Sequence, residues 1–276
     1  MREEYLSRVP EWYRSFEKFD VVLSDDLDGI VSTSALKFAK NWNVEYFYDF
    51  SKLYVTGQTY FKENKNATRV WADVAITRRE MTFDNHISRK NLGDKLNDLC
   101  INPNVITNVT NENYYDKYCG SSALLIWSLY NIPLPETELG KMLLLCIDST
   151  FKGFFGYNNF KERNRFYLCD VLGFEELYEV EKRHSREEFY ELISKYNLNA
   201  KTTIDKDGYL HTDLDLDFIG KELGIELSIP TDKCFIEWRE LEEHKVNNFY
   251  GDVASIKRLI TLAYTGKNFV KYSTMA

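Results

Sequence analysis

Apolar runs and helical patterns alternate along the first half of the chain. Residues 19–24, FDVVLS, form a short apolar run typical of a buried strand, and residues 30–42 carry apolar side chains at helical spacing. A second strand pattern, VEYFYDF, follows over residues 44–50. Strand, tight turn, helix and strand in this order predict a βαβ unit, which requires a parallel sheet and a right-handed crossover.

Aspartates stand at or near the ends of the predicted strands. The turn DDLDG places Asp26 and Asp28 after the first strand, and Asp73 lies in the next apolar run, TRVWADVAI. A further apolar run begins at Met81 and leads into Asp84. Ligands of open α/β sheets gather at the carboxyl ends of the strands. We therefore expect these carboxylates to converge although they are distant in sequence.

Two helices are predicted next, followed by a change in composition. The segment GSSALLIWSLYN begins with small polar residues that suit a helix N-terminus, among them Ser121, and residues 136–149 form an apolar helical segment with Asp148 near its end. Residues 151–166 are rich in glycine, asparagine and aromatic side chains and show little periodicity. This stretch indicates a connection to a second domain.

The second half of the chain carries weaker but recognisable patterns. Ser185 and Glu188 form a capping-box pattern at the start of a helix. Helices are also predicted over residues 217–224 and 253–264, and a final strand over residues 266–274.

These patterns predict an α/β protein of two domains, for which 276 residues are sufficient. Residues 1–155 are expected to form a mostly parallel sheet flanked by helices, and residues 156–276 a smaller α+β domain on the substrate side.

Charge and composition narrow the classes of partner. The chain has 35 basic and 43 acidic residues, a net charge of -8, which argues against clamping long duplex nucleic acid but permits a short anionic substrate held by bound metal ions. No apolar stretch is long enough to cross a bilayer, so we expect no membrane partner and a cytoplasmic location. The five cysteines include no CxxC pair, which favours reduced thiols over disulfides or zinc binding.

The segment VVLSDDLDGIVSTSAL is the strongest local indication of chemistry. Two carboxylates one residue apart, followed by glycine at the mouth of a strand, offer hard oxygen ligands where an ion can approach the backbone closely. The pattern DxDG also occurs in calcium loops and in ordinary turns. A second acidic run, HTDLDLDF, could bind a cation, but capping of the following helix is the simpler interpretation.

Taken in order, the DxDG turn, the lone Asp73, the triplet Asp84-Asn85-His86, the GSSA helix start and the late Asp148 resemble the DHH phosphoesterase family over residues 18–155. That family includes RecJ-type single-strand exonucleases, nanoRNases, cyclic dinucleotide phosphodiesterases and family II pyrophosphatases. The resemblance implies a hydrolase that uses one or two Mn²⁺ or Mg²⁺ ions.

The resemblance also implies roles for individual residues. Asp26 and Asp28 would each bind one metal, Asp73 would bridge the two, and Asp148 would be the last ligand. In the triplet, Asp84 would orient its neighbours, Asn85 stands where the family has a metal-binding histidine, and His86 would contact the substrate phosphate. The implied catalytic residues are Asp28, Asp84 and His86, and the candidate substrate-binding residues are Arg78, Arg79, Ser121, Lys267 and Lys271.

Four features depart from the family pattern. Val22 stands where many members have a histidine, and Asn85 offers an amide oxygen in place of imidazole. The gap between Asp73 and the triplet is too short for a full intervening helix, so we expect an abbreviated sheet there, and the glycine-rich C-terminal loop is absent. The segment GKNFVKYST, with Lys267 and Lys271, is the nearest candidate for that loop. His86 could also be a strand-end histidine that bonds only to backbone.

The preferred hypothesis is metal-dependent hydrolysis of short or single-stranded oligonucleotides through two-metal activation of water. Hydrolysis of a smaller phosphate compound, such as a cyclic nucleotide, a dinucleotide or pyrophosphate, is a second hypothesis. A third is a degenerate member that binds nucleotide without turnover, motivated by Val22 and Asn85. The sequence does not fix the oligomeric state.

Overall fold

The computed structural model describes residues 1–61, 68–157, 159–249, 251 and 253–276. The strands are β1 Asp20–Ser24, β2 Asn43–Tyr48, β3 Lys52–Thr56, β4 Arg69–Ala72, β5 Met81–Phe83, β6 Cys100–Ile101, β7 Thr202–Ile204, β8 Leu210–Thr212, β9 Phe235–Asn247, β10 Leu259–Gly266 and β11 Phe269–Met275. The α-helices are α1 Glu3–Leu6, α2 Leu27–Lys40, α3 Gly57–Tyr60, α4 Pro103–Ile106, α5 Ser122–Leu129, α6 Glu138–Cys146, α7 Phe160–Arg165, α8 Glu175–Arg183, α9 Arg186–Lys195 and α10 Leu216–Leu223.

Nine of these strands form one mixed sheet in the order β10-β11-β9-β3-β2-β1-β4-β5-β6. The pairs from β2 through β1, β4 and β5 to β6 are parallel. The pairs from β2 through β3, β9 and β11 to β10 are antiparallel. The predicted α/β class is confirmed, and the parallel arrangement applies to the half of the sheet that carries the DxDG strand.

The first crossover forms as predicted, but its helix begins earlier. Asp26 is the N-cap of α2 and its carboxylate accepts from Gly29 N at 3.1 Å, so Asp28 and Gly29 lie in the first helical turn. The prediction that all of DDLDG is a turn was therefore wrong. α2 ends at Lys40 and is capped by Asn41, whose left-handed backbone allows its N–H to bond to Lys37 O.

The segment around Asp73 is shorter as a strand than predicted. β4 ends at Ala72, and Asp73 turns away from the strand with a φ of 59°, although its N–H still bonds to Phe83 O at 2.9 Å. β5 then pairs directly with β4, and the described residues between them contain no helix. The abbreviated connection brings Asp73 and the triplet after β5 to neighbouring strand ends.

The predicted helix over residues 253–264 was wrong. A short 3₁₀ turn covers Val253–Ser255, and strand β10 begins at Leu259. Ile260, Leu262 and Tyr264 are spaced by two residues and are all buried, which fits a strand, and β11 pairs with β10 across a tight turn. The apolar run was too short for periodicity alone to distinguish the two structures.

The C-terminal strands continue the sheet that the N-terminal half begins, because β9 pairs with β3. The main apolar cluster likewise draws on residues from Val9 to Phe235, and the rings of Phe151 and Phe189 stack at 4.7 Å. The division at residues 155 and 156 stays a prediction. Residues 151–166, predicted as an irregular connection, contain α7.

Within the described residues, every helix is too short or too polar to cross a lipid bilayer.

Candidate functional site

Carboxylates from three distant segments meet beside the N-terminus of α5. Ser122 joins two of them, because its backbone N–H donates to Asp28 Oδ2 at 2.7 Å and its hydroxyl donates to Asp73 Oδ1 at 2.9 Å. Asp148, which follows α6, acts electrostatically on both of these aspartates. We call Asp28, Asp73 and Asp148 the carboxylate cluster.

Asp28 is buried in the first turn of α2. Besides Ser122, its carboxylate accepts from Ala123 N at 2.8 Å and from the Ser32 hydroxyl at 3.1 Å. Burial and the charge of Asp148 nevertheless raise the pKa of Asp28 to about 7, although the two backbone donors oppose the shift. The helix terminus offsets only part of the cost of placing this charge among other carboxylates.

Asp73 combines burial with an unusual backbone. Its side chain lies just past β4, and burial followed by repulsion from Asp28 raises its pKa well above the usual value. A φ of 59° is uncommon outside glycine, although aspartate and asparagine tolerate it better than most residues. The chain thus holds a strained backbone and an unfavourable charge at the same point, a combination found at functional sites.

Asp148 and the following Ser149 also have left-handed backbones, with φ values of 49° and 55°. Asp148 as a whole is exposed to solvent, but the protein packed around its carboxylate desolvates it and raises its pKa, while the neighbouring His86 and Lys117 oppose the shift. Asn85 donates from Nδ2 to Asp148 Oδ2 at 2.8 Å and to Gly120 O at 3.0 Å. These two acceptors fix the orientation of the amide.

Asn85 leaves one buried polar atom without a partner. Its amide oxygen, Oδ1, has no hydrogen-bond donor among the described residues. An unpaired buried carbonyl is costly, and an amide oxygen is a ligand that hard cations accept. The residue that stands at the position of the expected metal-binding histidine therefore presents an oxygen that the fold does not use.

The other members of the triplet form an orienting network. His86 Nδ1 lies 2.8 Å from Asp84 Oδ1, and His86 N donates to the same oxygen at 3.1 Å. Asn102 donates to Asp84 Oδ2 at 2.8 Å and to His86 O at 2.7 Å. Burial lowers the pKa of His86, but the hydrogen bond and charge of Asp84 outweigh burial and raise it overall. Asp84 thus holds the ring and favours its protonated form.

Asp26 lies at the edge of the cluster. One of its carboxylate oxygens caps α2, and the other is 3.3 Å from Lys201 Nζ, which also bonds to Asp25 at 2.8 Å. This lysine neutralises part of the charge at the mouth of the site.

Two cavities open on either side of His86 and Asp148, and both residues line each of them. The first, of about 530 Å³, we call the aromatic cavity; its walls include Tyr114, Tyr118, Phe155, Tyr157, Phe160 and Tyr264. The second, of about 370 Å³, we call the lysine cavity; its walls include Asp26, Asp73, Lys201, Lys245, Lys271 and Tyr272. A substrate could therefore extend in two directions from the carboxylate cluster.

The structure does not bring every candidate substrate-binding residue to this site. Arg78 bonds to Leu259 O, and Arg79 pairs with Asp98 at 3.1 Å; both line a different cavity. Lys267 donates to the backbone oxygens of residues 111 and 112.

Of the two remaining candidate substrate-binding residues, Lys271 reaches the site and Ser121 does not. Ser121 is fully buried, and its hydroxyl caps α5 by accepting from Leu124 N at 3.1 Å, so it offers nothing to a substrate. Lys271 does line the lysine cavity.

Three residues that the sequence reading missed also belong to the site. Ser122 links Asp28 to Asp73. Lys117, in the aromatic cavity, acts electrostatically on Asp148 and His86. Lys201 reaches Asp25 and Asp26 from 175 residues away along the chain. The helix-start pattern could have indicated Ser122, but the two lysines carry no local pattern.

The donor set suits a hard divalent cation, since it consists of carboxylate oxygens and one unpaired amide oxygen. Among the described residues, however, no three acidic, histidine or cysteine side chains are already arranged as a complete metal site. Hydrogen bonds from Ser122 and Asn85 occupy part of the oxygens of Asp73 and Asp148. Cation binding would therefore include a rearrangement of these side chains.

Comparisons of the chain with protein-family models, with curated proteins and with solved structures find no match.

Proposed function

We propose that this chain is a metal-dependent phosphoesterase of the DHH type that hydrolyses phosphodiester bonds in short single-stranded oligonucleotides. One observation carries the proposal: Asp28 and Asp73 are buried side by side on Ser122, the more exposed Asp148 acts electrostatically on both and raises their pKa values, and Asn85, which bonds to Asp148, has an unpaired amide oxygen. Buried carboxylates of like charge are costly unless protons or cations neutralise them.

The cluster and Asn85 would hold one or two Mn²⁺ or Mg²⁺ ions, with Asp26 at the outer edge. When bound, such ions lower the pKa of a water molecule and neutralise phosphate oxygens. Ser122 and the N-terminus of α5 keep Asp28 in place, so this carboxylate is ordered before any ion arrives.

His86 would contact the substrate phosphate. Its Nδ1 is committed to Asp84, which leaves Nε2 to point elsewhere, and 32% of the side chain is exposed to solvent. A raised pKa favours the imidazolium form, which can donate a hydrogen bond to a phosphate oxygen and stabilise developing charge. Lys117 places a second cation nearby.

The form of the site favours a short substrate. The net charge of -8 offers little attraction to long strands, while Lys201, Lys245 and Lys271 offset part of the charge of the acidic side chains that also line the lysine cavity. The two cavities on either side of His86 suit a phosphate flanked by one or two nucleosides.

The proposal is tested by measuring hydrolysis of a labelled short oligonucleotide and of bis(p-nitrophenyl) phosphate with Mn²⁺, with Mg²⁺ and with EDTA. We expect Mn²⁺-dependent cleavage of both substrates and loss of cleavage with EDTA. Asp73→Asn, whose side chain keeps the shape and tolerates the positive φ, should reduce the rate about 100-fold or more.

Asp232→Asn is the matched control, because Asp232 is an exposed aspartate in a turn on another surface. It should leave the rate unchanged. Cleavage that survives EDTA, or an Asp73→Asn variant as active as Asp232→Asn, would overturn the proposal.

A further inference from the structure

The aromatic cavity has features that the hydrolysis of a phosphate does not require. It adjoins the carboxylate cluster through His86 and Asp148, yet six tyrosine and phenylalanine rings line its wall. We infer that this cavity binds the nucleobase of a nucleotide whose phosphate lies at His86. The inference takes the position of the phosphate from the function proposed above.

Exposed aromatic rings support this assignment. Tyr157 is 82% exposed, and Phe155 and Phe160 are partly exposed along the same wall. Large aromatic side chains contribute little to folding when they remain in water, but they are the usual platforms on which bases stack. Tyr114 lies deeper, and the Lys117 ammonium lies 5.2 Å from the centre of its ring.

A buried hydroxyl provides an independent observation. Tyr264 is 2% exposed and lines the cavity, and its hydroxyl has no hydrogen-bond partner among the described residues. Burial raises the pKa of Tyr264 to about 12, so the group remains a neutral donor and acceptor. A ligand with ring nitrogens, carbonyls or sugar hydroxyls could satisfy it, whereas an apolar ligand could not.

The distribution of charge orients the ligand. Lys117 acts on both His86 and Asp148, so the positive charge deepest in the cavity lies next to the expected phosphate. Lys152 and Arg186 line the cavity and are exposed at the surface. The phosphate therefore faces the cluster, the base faces Tyr157, and a further phosphate of a short strand could reach the two outer cations.

The test compares binding of adenosine 5′-monophosphate, cytidine 5′-monophosphate and ribose 5-phosphate to the full chain by calorimetry, with and without Mn²⁺. We expect both nucleotides to bind with similar affinity, because stacking tolerates any base, and ribose 5-phosphate to bind about tenfold more weakly. Tyr157→Ala should weaken nucleotide binding about tenfold and leave ribose 5-phosphate unaffected, while Tyr157→Phe should retain nucleotide binding.

Phe16→Ala is the control, because Phe16 is fully exposed on a distant surface and its loss should not change binding. Equal affinities for the nucleotides and ribose 5-phosphate would overturn the inference, as would unchanged nucleotide binding by Tyr157→Ala.

Hydrolysis of bis(p-nitrophenyl) phosphate by the parent chain separates the two proposals, since this compound has no base. If the chain hydrolyses this compound but binds nucleotides no more tightly than ribose 5-phosphate, the inference alone is overturned. If nucleotides bind more tightly than ribose 5-phosphate in a way that depends on Tyr157, but no hydrolysis occurs, the proposed function is overturned and the inference is supported.

Discussion

Two aspartates of the carboxylate cluster adopt a backbone that most residues avoid. Asp73 and Asp148 have φ values of 59° and 49°; Asp73 follows directly on β4, and Asp148 lies two residues past the end of α6. The positive φ turns the chain sharply, which brings the two carboxylates toward Asp28. Local strain and charge repulsion are both unfavourable here, so the cluster lowers the stability of the metal-free protein.

Asp73→Asn should therefore stabilise the metal-free protein at pH 8. The amide carries no charge, can still accept from the Ser122 hydroxyl and suits a left-handed backbone. We expect a gain of about 0.5–2 kcal/mol in the free energy of unfolding, visible as a rise of a few degrees in Tm. Denaturant titration with EDTA present measures it.

The same substitution should remove stabilisation by Mn²⁺, which the parent chain and the Asp232→Asn control should both retain. If Asp73→Asn were less stable than the parent chain without metal, the contacts of the Asp73 carboxylate would outweigh the repulsion from its neighbouring carboxylates, and the prediction would be wrong.

The start of α2 depends on the glycine of DxDG. A Cβ on Gly29 would lie 2.7 Å from Ser24 O and 2.2 Å from Ser24 Oγ, because the helix begins immediately against the end of β1. This close approach places Asp28 deep in the site and lets Asp26 cap the helix. The glycine is thus required by packing, since its own φ is not in the positive range.

Gly29→Ala should destabilise the protein although helix propensity predicts the opposite. Alanine is favoured over glycine by about 1 kcal/mol inside a helix, but the backbone oxygen of Ser24 cannot move away without shifting β1. Overpacking of this kind costs about 1–3 kcal/mol, so we expect a net loss in chemical denaturation.

Gly57→Ala is the matched control. Gly57 also begins a helix, α3, but its added Cβ would lie 3.6 Å from the nearest atom. Its stability should change little. A Gly29→Ala variant as stable as Gly57→Ala would mean that the contact with Ser24 is easily relieved.

The sheet as a whole brings the cluster together. Parallel strands β1, β4 and β5 end at the same edge; the first turn of α2 after β1 supplies Asp28, and the segments after β4 and β5 supply Asp73 and the triplet. The antiparallel strands β10 and β11 add Tyr264 and Lys271 on the facing side. Both cavities are thus formed between residues that are far apart in sequence.

Stability of the metal-free molecule should fall as pH rises from about 4 to about 7. The folded protein raises the pKa values of Asp28, Asp73 and Asp148 above the usual value near 4, so folding takes up protons in this range. Stability is then fully present below the unfolded pKa and is lost as pH passes through the folded pKa, which is about 7 for Asp28. Thermal unfolding between pH 5 and 8 measures the trend.

Saturating Mn²⁺ should reverse most of this loss at pH 8, because bound cations neutralise the same carboxylates. Buried Glu181, whose pKa is also raised by burial, titrates in the same direction but lies outside the cluster. The part of the pH-dependent loss of stability that Glu181 causes should persist with Mn²⁺ and should disappear in Glu181→Gln. A pH trend identical with and without Mn²⁺ would contradict cation binding by the cluster.

Local patterns predicted several elements because each was encoded by neighbouring residues. The apolar run of β1, the spacing of α2, the capping box at Ser185 and the final strand β11 all appear where the sequence indicated. β10 was mistaken for a helix because a short apolar run satisfies both periodicities until a partner strand is known.

Local patterns were enough to indicate the candidate carboxylates and the strand ends near which they lie, because turn residues and the succession of strands and helices along the chain are encoded by neighbouring residues. Long-range packing was needed to show that Ser122 bridges two carboxylates, that Lys117 and Lys201 lie at the site while Arg78, Arg79 and Lys267 do not, and that an aromatic cavity adjoins His86. These features depend on contacts between residues far apart along the chain, such as Asp28 and Ser122 at 94 positions, and no local pattern specifies which distant surfaces will pack together.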